Sequence, residues 1–282
     1  MTAETGSKIL ESQAFDNRAI DALPPLKQLV AALDMRARKS LGQNFLFDLN
    51  LTRRIAQSAG RLDGTTIEVG PGPGGLTRAL LLEGAQKVVA VEKDFRASSV
   101  LASLIEAAGD RLQLVEGDAL KTPLWEMGDA PRRIVANLPY NIATTLLIQW
   151  LGHATAFQTM TLMFQREVAE RITAQPGDSA YGRLSILTGW IADSTILFDI
   201  PPEAFVPAPK ITSSVVQIRP LAEPRFPCDR TALETVTRIA FGQRRKMLRA
   251  SLKPIGGKTL LTEAGIDPQC RPQDLDIEAF CR

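Results

Sequence analysis

A series of short apolar runs, which begins at residue 65 and alternates with helical patterns, limits which folds this chain can adopt. A strand buried on both faces of a sheet appears as one continuous apolar run. Such runs occur in the order TTIEVG, KVVAVEKD, LQLVEGD, RIVANLPY, TMTLMFQ, STILFDI and SSVVQI. Because strands and helices alternate, they predict a layered α/β sheet. A proline-rich loop, and no helix, separates 194–200 from 213–218, which predicts an antiparallel pair at the sheet edge.

The segments before this series predict an extension and two helices. Residues 1 to about 24 carry mixed charges and no apolar core, so we expect a loose extension there. Helical spacing then recurs in LKQLVAALDMRARKS and in LNLTRRIAQSAG, which should end at Gly60. Between these two helices, SLGQNFLFD predicts a turn that contains glycine.

The segments after the series predict a second domain. Pro220 and the prolines of LAEPRFPCD are typical of a linker. Beyond them the short helices TALETVTRIAF, RRKMLRASLK, KTLLTEAG and DPQCRPQDLDIEAFCR are predicted. We therefore expect an extension over 1–24, a main domain over 25–219 and a helical domain over 220–282.

Several classes of protein are disfavoured by composition. Cys228, Cys270 and Cys281 lack zinc-site spacing, and His153 is the only histidine, so we expect reduced thiols and no metal. We expect His153 at the surface or at a helix end. No apolar run approaches the length of a membrane span, and no targeting segment is present, so we expect a cytoplasmic protein without a membrane partner. The net charge of +2 says little about partners.

Three consecutive strands end in residues that suit a nucleoside ligand. EVGPGPGGLT follows the first strand, and its glycines, Gly70 and Gly72 among them, let a ligand approach the backbone. Glu92 ends the second strand, where an acid can accept hydrogen bonds from a ribose diol. Asp118 ends the third and could accept from an adenine amine. A tight turn and two solvated acids remain the alternative, and a dinucleotide dehydrogenase is disfavoured because the G-x-G-x-x-G register is missing.

The fourth strand ends in NLPY, residues 137–140. Asn137 offers a side-chain oxygen, Leu138 or Pro139 a backbone carbonyl, and Tyr140 a stacking ring. Two acceptors at an exocyclic amine would favour a pyramidal nitrogen, and the ring would hold a planar base. This arrangement requires neither a metal ion nor a covalent intermediate.

Taken in order, SLGQNFL, EVGPGPGGLT, VEKD, GDAL, NLPYNIAT, FQREVAERI and FVPAPKITSSVVQI resemble the S-adenosylmethionine-dependent rRNA adenine N6,N6-dimethyltransferases. FGQRRKMLRASL resembles the small-subunit, kasugamycin-resistance branch, and the resemblance covers roughly residues 26–282. It implies a Rossmann-like class I methyltransferase sheet with an antiparallel edge strand, and a small all-helical C-terminal domain. It also implies S-adenosylmethionine as cofactor, yielding S-adenosylhomocysteine. The implied substrate is a pair of adjacent adenosines in a loop near the 3′ end of 16S rRNA, within the small ribosomal subunit.

The resemblance also implies which residues form the cofactor site. The candidates are Gln43, Asn44, Leu46, Gly70, Gly72, Glu92, Lys93, Asp118, Ala119 and Asn137. The stretch Pro73, Gly74, Gly75 falls where the family varies, so contacts there beyond Gly70 and Gly72 are not implied. The implied catalytic set is Asn137, Leu138, Pro139, Tyr140 and Phe205.

Two regions could hold RNA. Tyr140 and Phe205 are candidates for stacking on an unstacked base, although Phe205 could instead be a core residue. The basic run, residues 238–258, holds seven Lys or Arg and no acid. It could be a solvated helix face, but beside an adenine site it suggests contacts with RNA phosphates. The candidates are Arg244, Arg245, Lys246 and Arg249, which we expect on a helix.

Other functions remain open at this point. A related resistance methylase of large-subunit rRNA differs in its RNA substrate and is disfavoured by FGQRRKMLRASL. A non-catalytic assembly or transcription factor on the same fold should have a damaged cofactor pocket. A DNA adenine methyltransferase is the fourth possibility. We expect a monomer.

Overall fold

The computed structural model describes residues 15–32, 37–38 and 42–282. Its centre is a seven-stranded sheet in the order β4-β3-β2-β5-β6-β9-β7. A separate two-stranded sheet pairs β1 with β8. The strands are β1 (Phe45–Leu46), β2 (Thr65–Val69), β3 (Lys87–Glu92), β4 (Leu112–Glu116), β5 (Arg132–Asn137), β6 (Thr159–Gln165), β7 (Ala192–Ile200), β8 (Phe205–Val206) and β9 (Ser213–Pro220).

All seven predicted strands are present in this sheet, and the predicted antiparallel pair is confirmed. β4, β3, β2, β5 and β6 pair in parallel, whereas β9 is antiparallel to both β6 and β7. The strand of opposite direction is therefore second from the edge, and β7 is the edge strand. β7 also carries a bulge between Ile196 and Phe198.

Helices cover both faces of the sheet. Alternate residues of a strand therefore enter two different apolar clusters, one on each face. Ile134 and Ala136 belong to one cluster and Val135 to the other, and Leu162 and Met163 divide in the same way. The helices are α1 (Arg18–Asp21), α2 (Leu26–Ala32), α3 (Leu49–Ser58), α4 (Gly75–Leu82), α5 (Arg96–Ala108), α6 (Tyr140–Leu151), α7 (Arg166–Thr173), α8 (Arg183–Ile191), α9 (Arg230–Gly242), α10 (Leu248–Ser251), α11 (Gly257–Glu263) and α12 (Ile277–Cys281).

Two sequence predictions before β2 have mixed outcomes. The helix predicted in LKQLVAALDMRARKS begins at Leu26, but residues 33–36 and 39–40 lie outside the described residues. The helix predicted to end at Gly60 is α3. Its N-cap is Asp48, whose carboxylate accepts hydrogen bonds from the backbone N–H groups of Asn50 and Leu51.

A loose extension was predicted over residues 1–24, and this prediction is wrong for residues 15–24. Ile20 is buried in α1, and Arg78 donates to the backbone carbonyls of Asp21, Leu23 and Pro24. Arg111 Nη1 also donates to Asn17 Oδ1 at 2.9 Å. These contacts satisfy carbonyls at the end of a short helix, so residues 15–24 are held against α4 and α5. Residues 1–14 lie outside the described residues.

The helices after residue 220 pack against α8, one of the helices that cover the sheet. Leu233, Ala240, Leu248 and Phe280 belong to the same buried cluster as Trp150 in α6. The chain leaves β9 at Pro220 and begins α9 at Arg230, so a connection without helix or strand lies at the predicted linker. The boundary near residue 220 stays a prediction, because the apolar core is continuous across it.

One helix prediction in the basic run is wrong. α9 ends at Gly242 and α10 begins at Leu248, so Arg244, Arg245 and Lys246 lie in a turn and only Arg249 is helical. Leu248 is fully buried, and its N–H donates to the Cys270 carbonyl at 2.8 Å. The buried Leu248 and its bond to Cys270 therefore fix the start of α10 after this turn.

Candidate functional site

A pocket lies at the carboxyl ends of β2, β3, β4 and β5, where parallel strands finish on one edge of the sheet. Its cavity volume is about 140 Å³. Its lining residues are Gln43, Val69, Gly70, Gly72, Val91, Glu92, Lys93, Gly117, Asp118, Ala119, Leu120, Pro139, Asn141 and Ile142.

The glycine turn after β2 brings backbone N–H groups to this pocket. Gly70 N–H donates to the Val91 carbonyl at 2.9 Å, and Gly72 N–H donates to Glu92 Oε2 at 3.1 Å. Gly72 has φ of 53°, and a Cβ there would lie 3.0 Å from the ring of Phe45. The turn therefore requires glycine at this position both for its backbone conformation and for space.

Glu92 is held by two backbone donors. Its Oε2 accepts from Gly72, and its Oε1 accepts from Asp94 N–H at 2.7 Å. Burial raises the pKa of this carboxyl, and the backbone N–H groups of Asp94, Gly72 and Lys93 oppose that rise. The carboxyl group is thus fixed at the rim of the turn, with lone pairs left to accept from a diol.

Asp118 and Lys93 form an ion pair at the opposite side of the pocket. Lys93 Nζ lies 2.8 Å from Asp118 Oδ2, while Asp118 Oδ1 accepts from Leu120 N–H at 3.1 Å. The hydrogen bond from Lys93 lowers the pKa of Asp118, which keeps it ionised. An ionised carboxylate can accept a hydrogen bond from a ligand amine, and the contact of Asp118 with an adenine amine stays a prediction. Ala119, also predicted, is buried in the lining between them.

Asn137 ends β5 and is oriented by the segment before β1. Its Nδ2 donates to the Asn44 carbonyl at 3.0 Å. Among the described residues none donates to its Oδ1, which leaves that oxygen available as an acceptor. The contact joins Asn44, the residue before β1, to the end of β5, but Asn44, Leu46 and Asn137 do not themselves line the pocket. Asn44 Nδ2 donates to the Gly42 carbonyl at 3.3 Å, and Leu46 is buried in the apolar cluster behind it.

Tyr140 begins α6 and is anchored by a residue that the sequence analysis missed. Its hydroxyl lies 2.5 Å from Ser213 Oγ, at the start of β9. The ring is half-buried, and burial raises the pKa of the hydroxyl. The preceding Leu138 is buried, and Pro139 lines the pocket. The doublet SS in ITSSVV was the only signal for Ser213, and it did not indicate which strand end Ser213 would reach.

Phe205 does not lie on the surface. Its side chain is 2% exposed, and Phe205 pairs with Leu46 through β8 and β1. This burial agrees with the alternative that Phe205 is a core residue. A stacking role remains a prediction and would require the ring to leave its position. The adjacent Val206 is exposed instead.

Gln43 reaches the pocket through a network that the sequence did not reveal. Its Nε2 donates to Asp94 Oδ2 at 3.1 Å, and its Oε1 accepts from Arg38 N–H at 2.9 Å. Hydrogen bonds from Arg96 and then from Gln43 hold the pKa of Asp94 at about 2, although burial opposes them. Asn141 and Ile142, in the first turn of α6, also line the pocket and were not predicted.

Glu68 is a buried acid behind the glycine turn. It is 2% exposed, and within the described part of the chain its Oε2 has no hydrogen-bond partner. Burial raises its pKa to about 8, and the neighbouring Glu92 adds to that rise. A neutral carboxyl therefore lies beneath the turn near neutral pH.

The four candidates for phosphate contacts are mostly exposed. Arg245, Lys246 and Arg249 are exposed, whereas Arg244 is partly buried, with its Nη2 3.3 Å from the Asp178 carbonyl. The single histidine lies far from the pocket. α6 begins at the pocket with Tyr140 and ends at Leu151, and beyond it the exposed His153 stacks on Trp125 with ring centroids 3.6 Å apart. Its predicted position at a helix end is confirmed.

Over 15–32, 37–38 and 42–282, no helix is long and apolar enough to cross a membrane. Within the same ranges, His, Cys, Asp and Glu side chains form no group of three or more that could hold a metal ion.

Comparison with known proteins gives one family. The family model described as ribosomal RNA adenine dimethylase matches residues 34–282. Ribosomal RNA small subunit methyltransferase A of Sinorhizobium medicae (strain WSM419) is 56% identical over 268 residues, covering 94% of this chain and 97% of that protein. The protein of the same name in Rhodospirillum rubrum is 54% identical over 262 residues, covering 92% of this chain and 91% of its own.

Solved structures show the same architecture. A dimethyladenosine transferase from Plasmodium falciparum matches with a TM-score of 0.69 and 27% identity, covering 84% of this chain and 94% of its own. The 23S rRNA methyltransferase ErmE matches with a TM-score of 0.64 and 27% identity, covering 84% of this chain and 96% of its own. The predicted fold class is thereby confirmed.

Proposed function

Since the chain belongs to the ribosomal RNA adenine dimethylase family, we propose that it dimethylates N6 of two adjacent adenosines in 16S rRNA. The target loop lies near the 3′ end of that RNA, and the reaction acts in biogenesis of the small ribosomal subunit. The names of the relatives from Sinorhizobium medicae and Rhodospirillum rubrum support the choice of subunit. The observation that carries the chemistry is the orientation of Asn137, whose Oδ1 is free to accept from an amine.

The pocket fits S-adenosylmethionine as the methyl donor. Glu92, fixed by two N–H donors, suits a ribose diol, and the ionised Asp118 suits an adenine amine. Gln43, Lys93 and Ala119 complete the wall around them. When bound, S-adenosylmethionine would supply a methyl group on a positively charged sulfonium.

The residues of NLPY hold the target amine. An adenine N6 lone pair is delocalised into the ring, so it is a poor nucleophile until the nitrogen becomes pyramidal. Pro139 O already accepts from Ile142 N–H and Ala143 N–H at 3.1 Å each, so we assign the Leu138 carbonyl as the second acceptor beside Asn137 Oδ1. Two preorganised acceptors at one amine favour the pyramidal nitrogen and fix its position.

Tyr140 holds the base itself. A target adenosine must first leave its stack, which costs a few kcal/mol and least in a loop. Stacking on an aromatic ring returns about 1–3 kcal/mol per base. The bond between Tyr140 and Ser213 fixes the ring at the strand ends, next to the acceptors that position N6.

The RNA surface extends to the basic run. Arg245, Lys246 and Arg249 are exposed and free to contact phosphates, and Arg244 lies beside them. The turn between α9 and α10 presents Arg244, Arg245 and Lys246 at one place. We propose that 16S rRNA within the small subunit is the partner, that the enzyme acts in the cytoplasm, and that it does so as a monomer.

Transfer of labelled methyl groups from S-adenosylmethionine tests this function. Undermethylated small subunits, large subunits and adenine-containing DNA would be supplied in parallel, followed by nucleoside analysis. We expect N6,N6-dimethyladenosine only in the small-subunit rRNA. Label in large subunits would instead support the resistance-methylase alternative, and label in DNA the DNA methyltransferase. Cofactor binding without transfer to any substrate would support the assembly factor.

The RNA surface has its own test. A variant that carries Arg244→Glu and Arg245→Glu should bind small subunits more weakly and with a shallower salt dependence, because fewer phosphates are neutralised. The slope should fall by about one unit for each phosphate that the variant no longer neutralises. Arg219→Glu, an exposed arginine at the end of β9, is the matched control. An unchanged salt slope in the double variant would remove these residues from the RNA surface.

A further inference from the structure

All three cysteines lie in the C-terminal part of the chain, and two of them meet. Cys228 Sγ lies 3.3 Å from Cys281 Sγ, although the residues are 53 positions apart in sequence. Both side chains are partly exposed, so a small solute can reach them. Cys270 is also partly exposed and free, and its backbone carbonyl accepts from Leu248 N–H. The fold therefore selects one pair from three thiols.

The pair joins two ends of the helical part. Cys228 directly precedes Asp229, the N-cap of α9, and Cys281 is the last residue of α12. Both line one apolar groove of the helical part, together with Leu233 and Phe280. Asp229 accepts from Ala232 N–H and Asp276 from Ala279 N–H, so capped helices hold both thiols in place.

We propose that Cys228 and Cys281 form a dithiol site that a peroxide, hydrogen peroxide being the simplest, closes to an intramolecular disulfide. The partners are already in contact before any reaction, so little rearrangement is needed to join them. Metal capture is disfavoured because, among the described residues, no third His, Cys, Asp or Glu joins this pair to form a metal-binding group.

The reaction balances without a further reactant. The Cys228 thiolate attacks one peroxide oxygen and becomes a sulfenic acid, while the O–O bond breaks and hydroxide leaves. The hydroxide takes the Cys281 proton, and the Cys281 sulfur then attacks the sulfenic sulfur, forming the S–S bond and expelling hydroxide, which is protonated to water. Two thiols and one hydrogen peroxide thus give one disulfide and two waters. The two sulfurs can exchange roles without changing this balance. Burial and the neighbouring Cys228 raise the pKa of the Cys281 thiol.

A disulfide between Cys228 and Cys281 would link the residue before α9 to the end of α12. The enclosed loop contains α9, α10, α11 and the whole basic run. A cross-link over a long loop restricts the unfolded chain more than a short one does. We therefore expect the oxidised protein to melt at a higher temperature than the reduced protein, and the difference to disappear after treatment with dithiothreitol.

Peroxide treatment of the full-length protein tests the site, with free thiols counted by alkylation and mass spectrometry before and after. We expect three alkylated cysteines before oxidation and only Cys270 afterwards, with a peptide that joins Cys228 to Cys281. Cys270→Ser is the matched control and should still form the cross-link. Cys228→Ser and Cys281→Ser should not form it.

Several outcomes would overturn the proposal. Three free thiols after oxidation, a sulfinic acid in place of the cross-link, or a disulfide between two chains would each do so. Loss of two thiols in Cys228→Ser would also contradict it. Because the cross-linked peptide is mapped on the wild-type chain, the test stands even where a serine variant folds poorly.

Discussion

The proposed site has two halves, the pocket itself and the end of β5 beside it, and they are held in place by different means. The cofactor half consists of the glycine turn, Glu92 and Asp118, and its geometry comes from backbone N–H groups near in sequence. The target half consists of Asn137 and Tyr140, and each is fixed by a contact with a distant part of the chain. The bond from Asn137 spans 93 residues, and that from Tyr140 spans 73.

This difference suggests that one half binds the cofactor and that the other half aligns the target amine. Strand ends on a shared edge suffice to place acceptors for a nucleoside, because adjacent parallel strands fix one another. An amine that is aligned for attack needs tighter positioning, and the proposed alignment depends on Asn137 and Tyr140, which contact the Asn44 carbonyl before β1 and Ser213 in β9. We therefore expect substitutions in the cofactor half to change affinity for the cofactor, and substitutions in the target half to change turnover or RNA affinity.

The largest effect should come from Asn137. Asn137→Ala removes the acceptor for the target amine, and we expect kcat to fall by about 100-fold or more, the usual loss for one preorganised group. Asn137→Asp keeps the shape and the acceptor but cannot donate to the Asn44 carbonyl at 3.0 Å, so its carboxylate would repel that oxygen. We expect a comparable loss there. Methyl transfer at saturating cofactor measures both, and wild-type turnover in either variant would contradict the assigned role.

The next effect should come from Glu92. Glu92→Gln cannot accept from both Gly72 N–H and Asp94 N–H, because one of its terminal atoms is a donor. The variant also offers a ribose diol one acceptor oxygen fewer. A hydrogen bond to a charged group contributes about 1.5–3 kcal/mol, so we expect the Kd for S-adenosylmethionine to rise by about 10- to 150-fold. Calorimetric titration measures this. Glu116→Gln, at the exposed partner position on β4, is the matched control and should bind normally.

A smaller effect is expected at Ser213. Ser213→Ala removes the partner of the Tyr140 hydroxyl and loosens the ring without removing it. We expect the KM for small subunits to rise by about 3- to 10-fold, corresponding to one ordinary hydrogen bond, while affinity for the cofactor is unchanged. Tyr140→Phe should reproduce this change, and the double variant should add nothing further. Additive losses would show that Ser213 acts on something other than Tyr140.

The smallest effect on activity should come from Glu68, whose substitution should mainly change the stability of the fold. Its folded pKa of about 8 lies above the ordinary value of 4.5 for a glutamate, so between these values the folded state binds more protons than the unfolded state. Stability from this group is full below pH 4.5 and is lost as pH rises through about 8. Glu68→Gln should therefore raise the Tm relative to wild type at pH 9 more than at pH 6. Glu106→Gln, an exposed acid on α5, should show no such difference.

Much of the cofactor half could be predicted from the sequence, whereas the bracing of the target half could not. Gly70 and Asp118 lie just after two of the strands and Glu92 ends a third, and the order of the apolar runs predicted that these strand ends share one edge. No sequence pattern indicated the register between β1, β8 and β9, so Ser213 was missed and Phe205, which is buried, was assigned a surface role. The helix predicted in RRKMLRASLK included Arg244 and Arg245. Local helix propensity contains no information about the burial of Leu248, which the tertiary structure decides.

Periodicity and strand order were enough to specify the layered fold, the edge of the sheet that carries the pocket, and the kinds of residue at that edge. Both properties are local and repeat along the chain, so they can be recognised in the sequence. The orientations of the side chains beside the pocket were specified only by packing between distant segments: Asn137 Nδ2 donates to the Asn44 carbonyl, and the Tyr140 hydroxyl contacts Ser213. Packing also brought Cys228 and Cys281 into contact. Contacts between distant segments depend on how whole layers fit together, which no short stretch of sequence encodes.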